Sequence, residues 1–356
     1  MSTLEKPTPI DSHADPLLSL LRRQKDAFRK EGEVTYETRI DRLRRLKAFI
    51  LENKTAFART TKAEFGGARS YEFSLFSEFA SKVEAIDYSL KNLKQWMKPV
   101  SRRSNKPMNF LGGRSQVRSF PKGVVGIISP WNLPFGLTVA PLTNALAAGN
   151  RALLKPSEFV PETAALFAEV IPRYFAPEEV AVVTGGADIS KRFAELPFDH
   201  LLFTGSTAVG VQIMKAAAEN LVPVTLELGG KSPVVIGRTA QLDLAGTRLT
   251  FAKFLNGGQL CLSPDYVLVP AELEEALVAR VAAEAQAMYP EVAENEDYAG
   301  VINERHFERL EAHLKDAVAK GAELTIIGAE KTRPIEGGRR MPLHILQNVD
   351  DSMTVM

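Results

Sequence analysis

Cysteine is almost missing from this chain: 356 residues hold one, Cys261. A lone cysteine excludes an internal disulfide framework and points to a reducing compartment. Net charge is almost missing too. The 44 Lys and Arg against 43 Asp and Glu leave +1, which gives no electrostatic reason to expect nucleic acid or anionic lipid. No apolar run reaches the roughly 18–20 residues that span a bilayer. The N-terminus, Met1-Ser-Thr-Leu-Glu-Lys-Pro-Thr-Pro9, lacks the apolar core of a secretion signal and reads as a short loose tail. These absences together predict a cytoplasmic protein. The five histidines (His13, His200, His306, His313, His344) are scattered, and no C-x-x-C or H-x-x-x-H spacing occurs, so no metal site is expected.

What is present is an ordinary globular composition, 45% hydrophobic and 24% charged, in a chain long enough for two domains. Residues from about 15 to 97 read as helical. Ile40, Leu43, Leu46 and Ile50 share a face, while Arg42, Arg44, Arg45 and Lys47 fall mostly elsewhere and read as a solvated face. Residues 99–120 have no helical period and read as a loop or exposed hairpin.

From residue 121 the pattern turns α/β. Strands are expected at 123–129, 151–155, 180–184 and 200–204, with helices near 140–148, from 161, and from about Ser206. The last of these helices would put Gly210, Ile213, Met214 and Ala217 on one face. Repeated β-then-α units imply a doubly wound parallel sheet, which binds ligands at the carboxyl ends of its strands. A second α/β region begins at residue 228, with a helix or loop at 250–256, strands at 265–270 and 323–327, and helices at 273–288 and 307–319.

Five motifs carry the chemistry. Gly257 and Gly258 bring the backbone tightly into Gln259-Leu-Cys261. Cys261 is either buried filler or a working thiol, and a thiol needs activation from a pKa of about 8.5. Glu227, 34 residues upstream in Leu226-Glu-Leu-Gly-Gly-Lys-Ser-Pro233, supplies a carboxylate fit for a general base. Ser129-Pro-Trp-Asn-Leu-Pro-Phe135 is a rigid loop at a strand end. Asn132 is either an oxyanion donor or a turn residue. Lys155-Pro-Ser-Glu158 is either a pair of ribose contacts or an exposed charge pair. Phe203-Thr-Gly-Ser-Thr-Ala-Val-Gly210 is either a phosphate turn, with Ser206 capping a helix, or a plain strand–helix turn.

In order and spacing these motifs resemble the NAD(P)-dependent aldehyde dehydrogenase superfamily, over essentially the whole chain. Phe65-Gly-Gly-Ala-Arg-Ser70, Pro264-Asp-Tyr266 and Ile302-Asn-Glu-Arg-His306 are similar to the branch holding coniferyl-aldehyde and fatty-aldehyde dehydrogenases. The resemblance implies a Rossmann-like parallel-sheet domain joined to a second α/β catalytic domain. It divides the chain into an N-terminal helical part of the cofactor domain (1–98), an oligomerisation hairpin (99–120), the NAD(P)-binding domain (121–227) and the catalytic domain (228–356).

The resemblance also implies roles. Cys261 is the nucleophile, Asn132 with the Cys261 backbone N–H is the oxyanion hole, and Glu227 activates water for thioester hydrolysis. Lys155 and Glu158 contact the adenosine ribose, and Gly205 and Ser206 form the pyrophosphate turn. Ser129, Pro130, Trp131, Ser157, Gly185, Thr204 and Leu228 complete the cofactor's surroundings. The cofactor is NAD or NADP. Glu158 favours NAD, because a carboxylate repels a 2′-phosphate.

The implied reaction is oxidation of an aldehyde, of coniferyl type, to a carboxylic acid. A homodimer is implied as well. Leu260 and Leu262 are bulkier than the family's usual neighbours of the nucleophile. The family's pattern continues past residues like 341–350 into Glu-x-Phe-Gly-Pro, so the catalytic domain is expected to be incomplete at Met356. Two alternatives remain: a CoA-acylating aldehyde dehydrogenase, against which Glu227 argues, and an inactive truncated remnant that only binds nucleotide.

Overall fold

The computed structural model describes residues 15–328 and 339–356. The expected N-terminal tail and His13 lie outside the described residues. The described chain forms two compact units. The first holds residues 15–53, 80–130 and 135–227, and the second holds 54–79, 131–134 and the residues from 228 onward. From their place in the sequence, residues 54–79 and 131–134 are expected in the cofactor-binding half. They cluster instead with the C-terminal half, because they make their contacts there, and contiguity in sequence carries no information about that.

In the first unit, helix α1 (Pro16–Glu31) starts where Asp15 accepts hydrogen bonds from the N–H groups of Leu17 and Leu18. Helix α2 (Tyr36–Glu64) buries Ile40, Leu43, Leu46 and Ile50 as their spacing predicts. Arg42 departs from the expected solvated face. It is buried, donating to Glu31 and Glu179, and Glu179 also accepts from Arg45. Burial pushes the Glu179 carboxyl up, but hydrogen bonds and charge from Arg45 and Arg42 outweigh it and hold the group at about 2. Helix α3 (Tyr71–Ser74), within the 54–79 segment of the second unit, leads through a π-helical stretch, Leu75–Ala80, into α4 (Ser81–Trp96), where the first unit resumes.

Strands β1 (Val100–Arg102) and β2 (Ser115–Val117) form an exposed antiparallel hairpin. Then follow β3 (Val124–Ile128), α5 (Gly136–Ala147), β4 (Arg151–Lys155), α6 (Pro161–Val170), β5 (Val180–Val182), α7 (Ala187–Ala194), β6 (His200–Gly205), α8 (Thr207–Ala218) and β7 (Val224–Leu228). The sheet order is β5-β4-β3-β6-β7, with parallel ladders β5–β4, β4–β3 and β3–β6. The order reverses beside β3, the hallmark of a doubly wound sheet. Strands β3 and β4 are buried along their whole length, which is why β3 reads as a continuous apolar run and β4 as apolar from Ala152 to Leu154. Helix α7 is short and buries only Phe193 and Ala194, so its period gave little signal. In α8, Gly210, Ile213 and Ala217 face the core, but Met214 is exposed.

The second unit adds β8 (Ser232–Val235), α9 (Leu242–Phe254), β9 (Pro264–Leu268), α10 (Glu274–Met288), α11 (Glu304–Ala319), β10 (Glu323–Ile327) and β11 (Leu343–Gln347). Strands β8 and β9 pair in parallel, and β10 and β11 pair antiparallel. Ile236, Leu277 and Val281 form one core, with Ile345 of β11 packed against it.

Candidate active site

In the first unit, strand register gathers the predicted cofactor residues. Ile128 lies opposite Lys155 on one side and Phe203 on the other. Ser129-Pro130, Pro156-Ser157-Glu158 and Ser206, which follows Thr204-Gly205 at the end of β6, therefore lie at the same carboxyl edge. Ser129 is fixed there: its N–H donates to the Lys155 carbonyl at 3.1 Å, and its hydroxyl pairs with that of Thr138 at 2.6 Å.

Lys155 corrects the exposed-pair alternative, because its side chain is fully buried. Its Nζ donates to the Pro156 carbonyl at 2.8 Å, and the Glu158 carboxylate is 3.9 Å away. Burial lowers the ammonium's pKa, while Glu158 and Asp188 oppose the fall. The Ser157 hydroxyl accepts from the Phe159 N–H.

The Ser206 hydroxyl caps α8, accepting from the Val209 N–H at 3.4 Å. A Cβ at Gly205 would come within 2.5 Å of the Phe203 ring, so a side chain there requires that ring to shift. Gly185, at φ 139°, precedes α7. Glu227 is the penultimate residue of β7 and exposed, and Leu228 ends the strand half-buried.

In the second unit, the chain leaving α9 makes three left-handed residues in a row: Asn256 (φ 53°), Gly257 (φ 62°) and Gly258 (φ 77°). They turn it back sharply into Cys261, which is half-buried. A Cβ at Gly257 would lie 2.8 Å from the Ala299 carbonyl oxygen. The reversal is clamped by side chains. Gln259 Nε2 donates to the carbonyls of Asn256 (3.0 Å) and Gly300 (2.9 Å), and its Oε1 accepts from the Ile302 N–H at 3.0 Å. Lys253 fastens the far side, donating to the Pro264 carbonyl at 2.9 Å.

Asn132 meets this turn. Its Nδ2 donates to the Gln259 carbonyl at 3.0 Å, two residues before Cys261. Because that partner is a pure acceptor, the amide's orientation is fixed. The Asn132 carbonyl accepts from Asn256 Nδ2 at 3.1 Å and Arg69 Nη2 at 3.3 Å. Trp131 packs its ring 5.2 Å from that of His306 and 6.3 Å from that of Phe65. Leu262 is 74% exposed, whereas Leu260 is half-buried.

Sequence reasoning missed the roles of Arg69, Asn256 and the Gln259 side chain. Only the motif around Arg69 and the Asn-Gly-Gly-Gln run had hinted at them. Among the described residues no group of three or more His, Cys, Asp or Glu side chains is placed to hold a metal.

Residues 12–356 match the aldehyde dehydrogenase family. The chain belongs to that family. This aldehyde dehydrogenase is 44% identical over 344 residues to the coniferyl aldehyde dehydrogenase of Pseudomonas sp. (strain HR199 / DSM 7063), covering 96% of this chain and 70% of that one. It is 37% identical over 296 residues to a Mus musculus aldehyde dehydrogenase described as dimeric and NADP-preferring, covering 82% of this chain and 64% of that one. In structure it is similar to the substrate-bound state of Staphylococcus aureus AldH, with TM-score 0.89 and 30% identity over 96% of this chain and 72% of that one. The family makes it an NAD(P)-dependent oxidoreductase that oxidises aldehydes. Among the described residues, no helix of this aldehyde dehydrogenase is long and apolar enough to cross a membrane.

Proposed function

We propose that this enzyme oxidises an aromatic aldehyde of coniferyl type to its carboxylate, with NAD favoured over NADP, through a thioester on Cys261. The observation that carries the reading is the Asn132 side-chain amide fastened to the Gln259 carbonyl in the turn that presents Cys261.

The Cys261 thiolate adds to the carbonyl carbon. The negative charge that forms on oxygen is met by the free N–H of Asn132 Nδ2 and by the Cys261 backbone N–H. Hydrogen-bond donors fixed in advance at such an oxygen are the largest single contribution in acyl-transfer sites. When bound, the nicotinamide cofactor supplies the acceptor for the hydride that leaves the tetrahedral carbon. Loss of hydride makes the carbon a thioester. Glu227 takes a proton from water, the hydroxide adds to the thioester carbon, and the thiolate departs with the carboxylate product released.

The strand-end residues fit the cofactor. A buried ammonium (Lys155), a hydroxyl (Ser157) and the capped N-terminus of α8 behind Gly205 and Ser206 suit its phosphates and hydroxyls. Glu158 suits an unphosphorylated ribose. Ser129, Pro130, Trp131, Thr204, Gly185 and Leu228 complete that assignment. On this reading residues 121–227 bind the cofactor and the residues from 228 carry the thiol. The exposed apolar residues of the hairpin, Val100, Met108, Phe110, Leu111 and Val117, are the surface for a second copy of the chain.

Glu227→Gln tests the cycle. The expected result is a full first-turnover burst of NADH with steady turnover lowered by roughly 100-fold or more. Unaltered steady turnover removes Glu227 from the mechanism. Acceleration by CoA would reassign the enzyme to the acylating class.

A further inference from the structure

The Asn132 backbone has no sheet or helix partner, since residues 131–134 are bends and turns. Its position is set instead by a closed circuit of hydrogen bonds within the second unit. Arg69 Nη2 donates to the Asn132 carbonyl (3.3 Å), and Asn132 Nδ2 to the Gln259 carbonyl (3.0 Å). Gln259 Nε2 donates to the Gly300 carbonyl (2.9 Å), and the Gly300 N–H to the carbonyl of Ala68 (3.3 Å), the neighbour of Arg69. Two left-handed glycines, Gly66 and Gly67, turn the end of α2 into this loop. A Cβ at Gly300 would meet the Phe65 carbonyl oxygen at 2.6 Å, so the loop and Gly300 pack without slack.

Arg69 is an expensive residue to place here. Its side chain and that of Glu78 are each 1% exposed, and Nη2 lies 2.8 Å from Glu78 Oε1. The guanidinium stands 4.7 Å over the Phe65 ring and 5.4 Å over that of Phe73. Its Nε and Nη1 have no hydrogen-bond acceptor. A buried ion pair of this kind adds little to stability over an apolar pair of equal volume. What it does add is a rigid planar fork, neutralised by Glu78 and locked by two rings, with a donor on the Asn132 carbonyl.

We propose that Arg69, held by Glu78, is a positioning residue for Asn132: it fixes the main chain from which the oxyanion donor projects. The inference rests on the oxyanion reading of Asn132. Arg69 has no part in cofactor binding or in thioester hydrolysis.

The test is a double-mutant cycle read by the first-turnover NADH burst, with cofactor KM and melting temperature measured alongside. Asn132→Ala should slow the burst roughly 100–1,000-fold. Arg69→Met combined with Glu78→Leu replaces the pair by apolar side chains and should keep the melting temperature near that of the parent. It should slow the burst roughly 10–100-fold with cofactor KM unchanged. Placed on Asn132→Ala, the same pair should slow it by less than about threefold, since the group it positions is gone. Arg69→Lys keeps the charge against Glu78 and serves in the cycle if the apolar pair does not fold.

A parental burst in the Arg69 variants overturns the inference. So does an equal fold-loss with and without the Asn132 amide, which marks a general structural role. A parental burst in Asn132→Ala overturns the oxyanion reading itself, and the inference with it.

Discussion

The carboxyl edge of the parallel sheet and the turn that presents Cys261 solve the same problem by different means. Both hold polar groups in place where the chain leaves regular structure. At the sheet edge, Ser129, Lys155 and Thr204 are placed by ladder register, backbone to backbone, within about 80 residues of contiguous sequence. At the cysteine turn no ladder reaches the site. Position comes from side-chain amides and a guanidinium drawn from residues 69, 132, 256 and 259, with the carbonyl of residue 300. Ladder bonds are cooperative and indifferent to most single side chains. A circuit of side chains depends on every member. The sheet edge should therefore tolerate substitution and lose affinity, while the cysteine turn should lose rate.

The sharpest break is Cys261→Ala. Aldehyde oxidation should fall by roughly 10,000-fold or more while cofactor binding, followed by quenching of intrinsic fluorescence, stays unchanged. A surviving steady rate would mean that the turn presents something other than the nucleophile.

Gly257→Ala tests the geometry of the turn alone. The new Cβ meets the Ala299 carbonyl oxygen at 2.8 Å, at a φ that L-residues avoid. A displacement of that kind lowers rate by roughly 100-fold. The expected signature is a slow burst with normal cofactor KM, and a parental burst would show that the turn has slack.

Glu179→Gln probes the ionic frame of the first unit. The folded carboxyl titrates at about 2 against a reference of 4.5. A depressed folded pKa stabilises the fold above the reference value, and that contribution is lost as pH falls towards 2. The shift corresponds to on the order of 3 kcal/mol at neutral pH. Denaturant melts between pH 4.5 and 2 should show a shallower loss of stability in Glu179→Gln than in the parent. Parallel curves would mean that Glu179 is not the group lost in acid.

Lys155→Met gives the smallest effect. On the proposed cofactor assignment the substitution removes one charge-assisted contact, which should raise cofactor KM roughly tenfold and leave the saturated burst intact. Stability should hold or rise, because a fully buried ammonium no longer has to be desolvated. A lowered burst with unchanged KM would move Lys155 away from the cofactor.

Much of this molecule was legible in its sequence. Strand β3 and the middle of β4 read as apolar because both faces are buried, and α2 showed its stripe because one face is. The capping role of Ser206 followed from its place before a helical period. The burial of Lys155 was not legible. A lysine beside a glutamate looks solvated, and only the fold shows that it is sealed in. Arg42 misled for the same reason, since its partners Glu31 and Glu179 lie 11 and 137 residues away.

What the sequence determined by itself is the local code: the periods of helix and strand, the glycines that permit the left-handed turn, and the chemical identity of thiol, carboxylate and amide. Tertiary structure alone decided which half takes residues 54–79 and 131–134, and that Arg69 is joined to Asn132 and through it to the cysteine turn. The physical reason is range. Steric preference and periodicity act over a few residues, whereas a buried hydrogen-bond circuit has no signature until distant segments have already packed together.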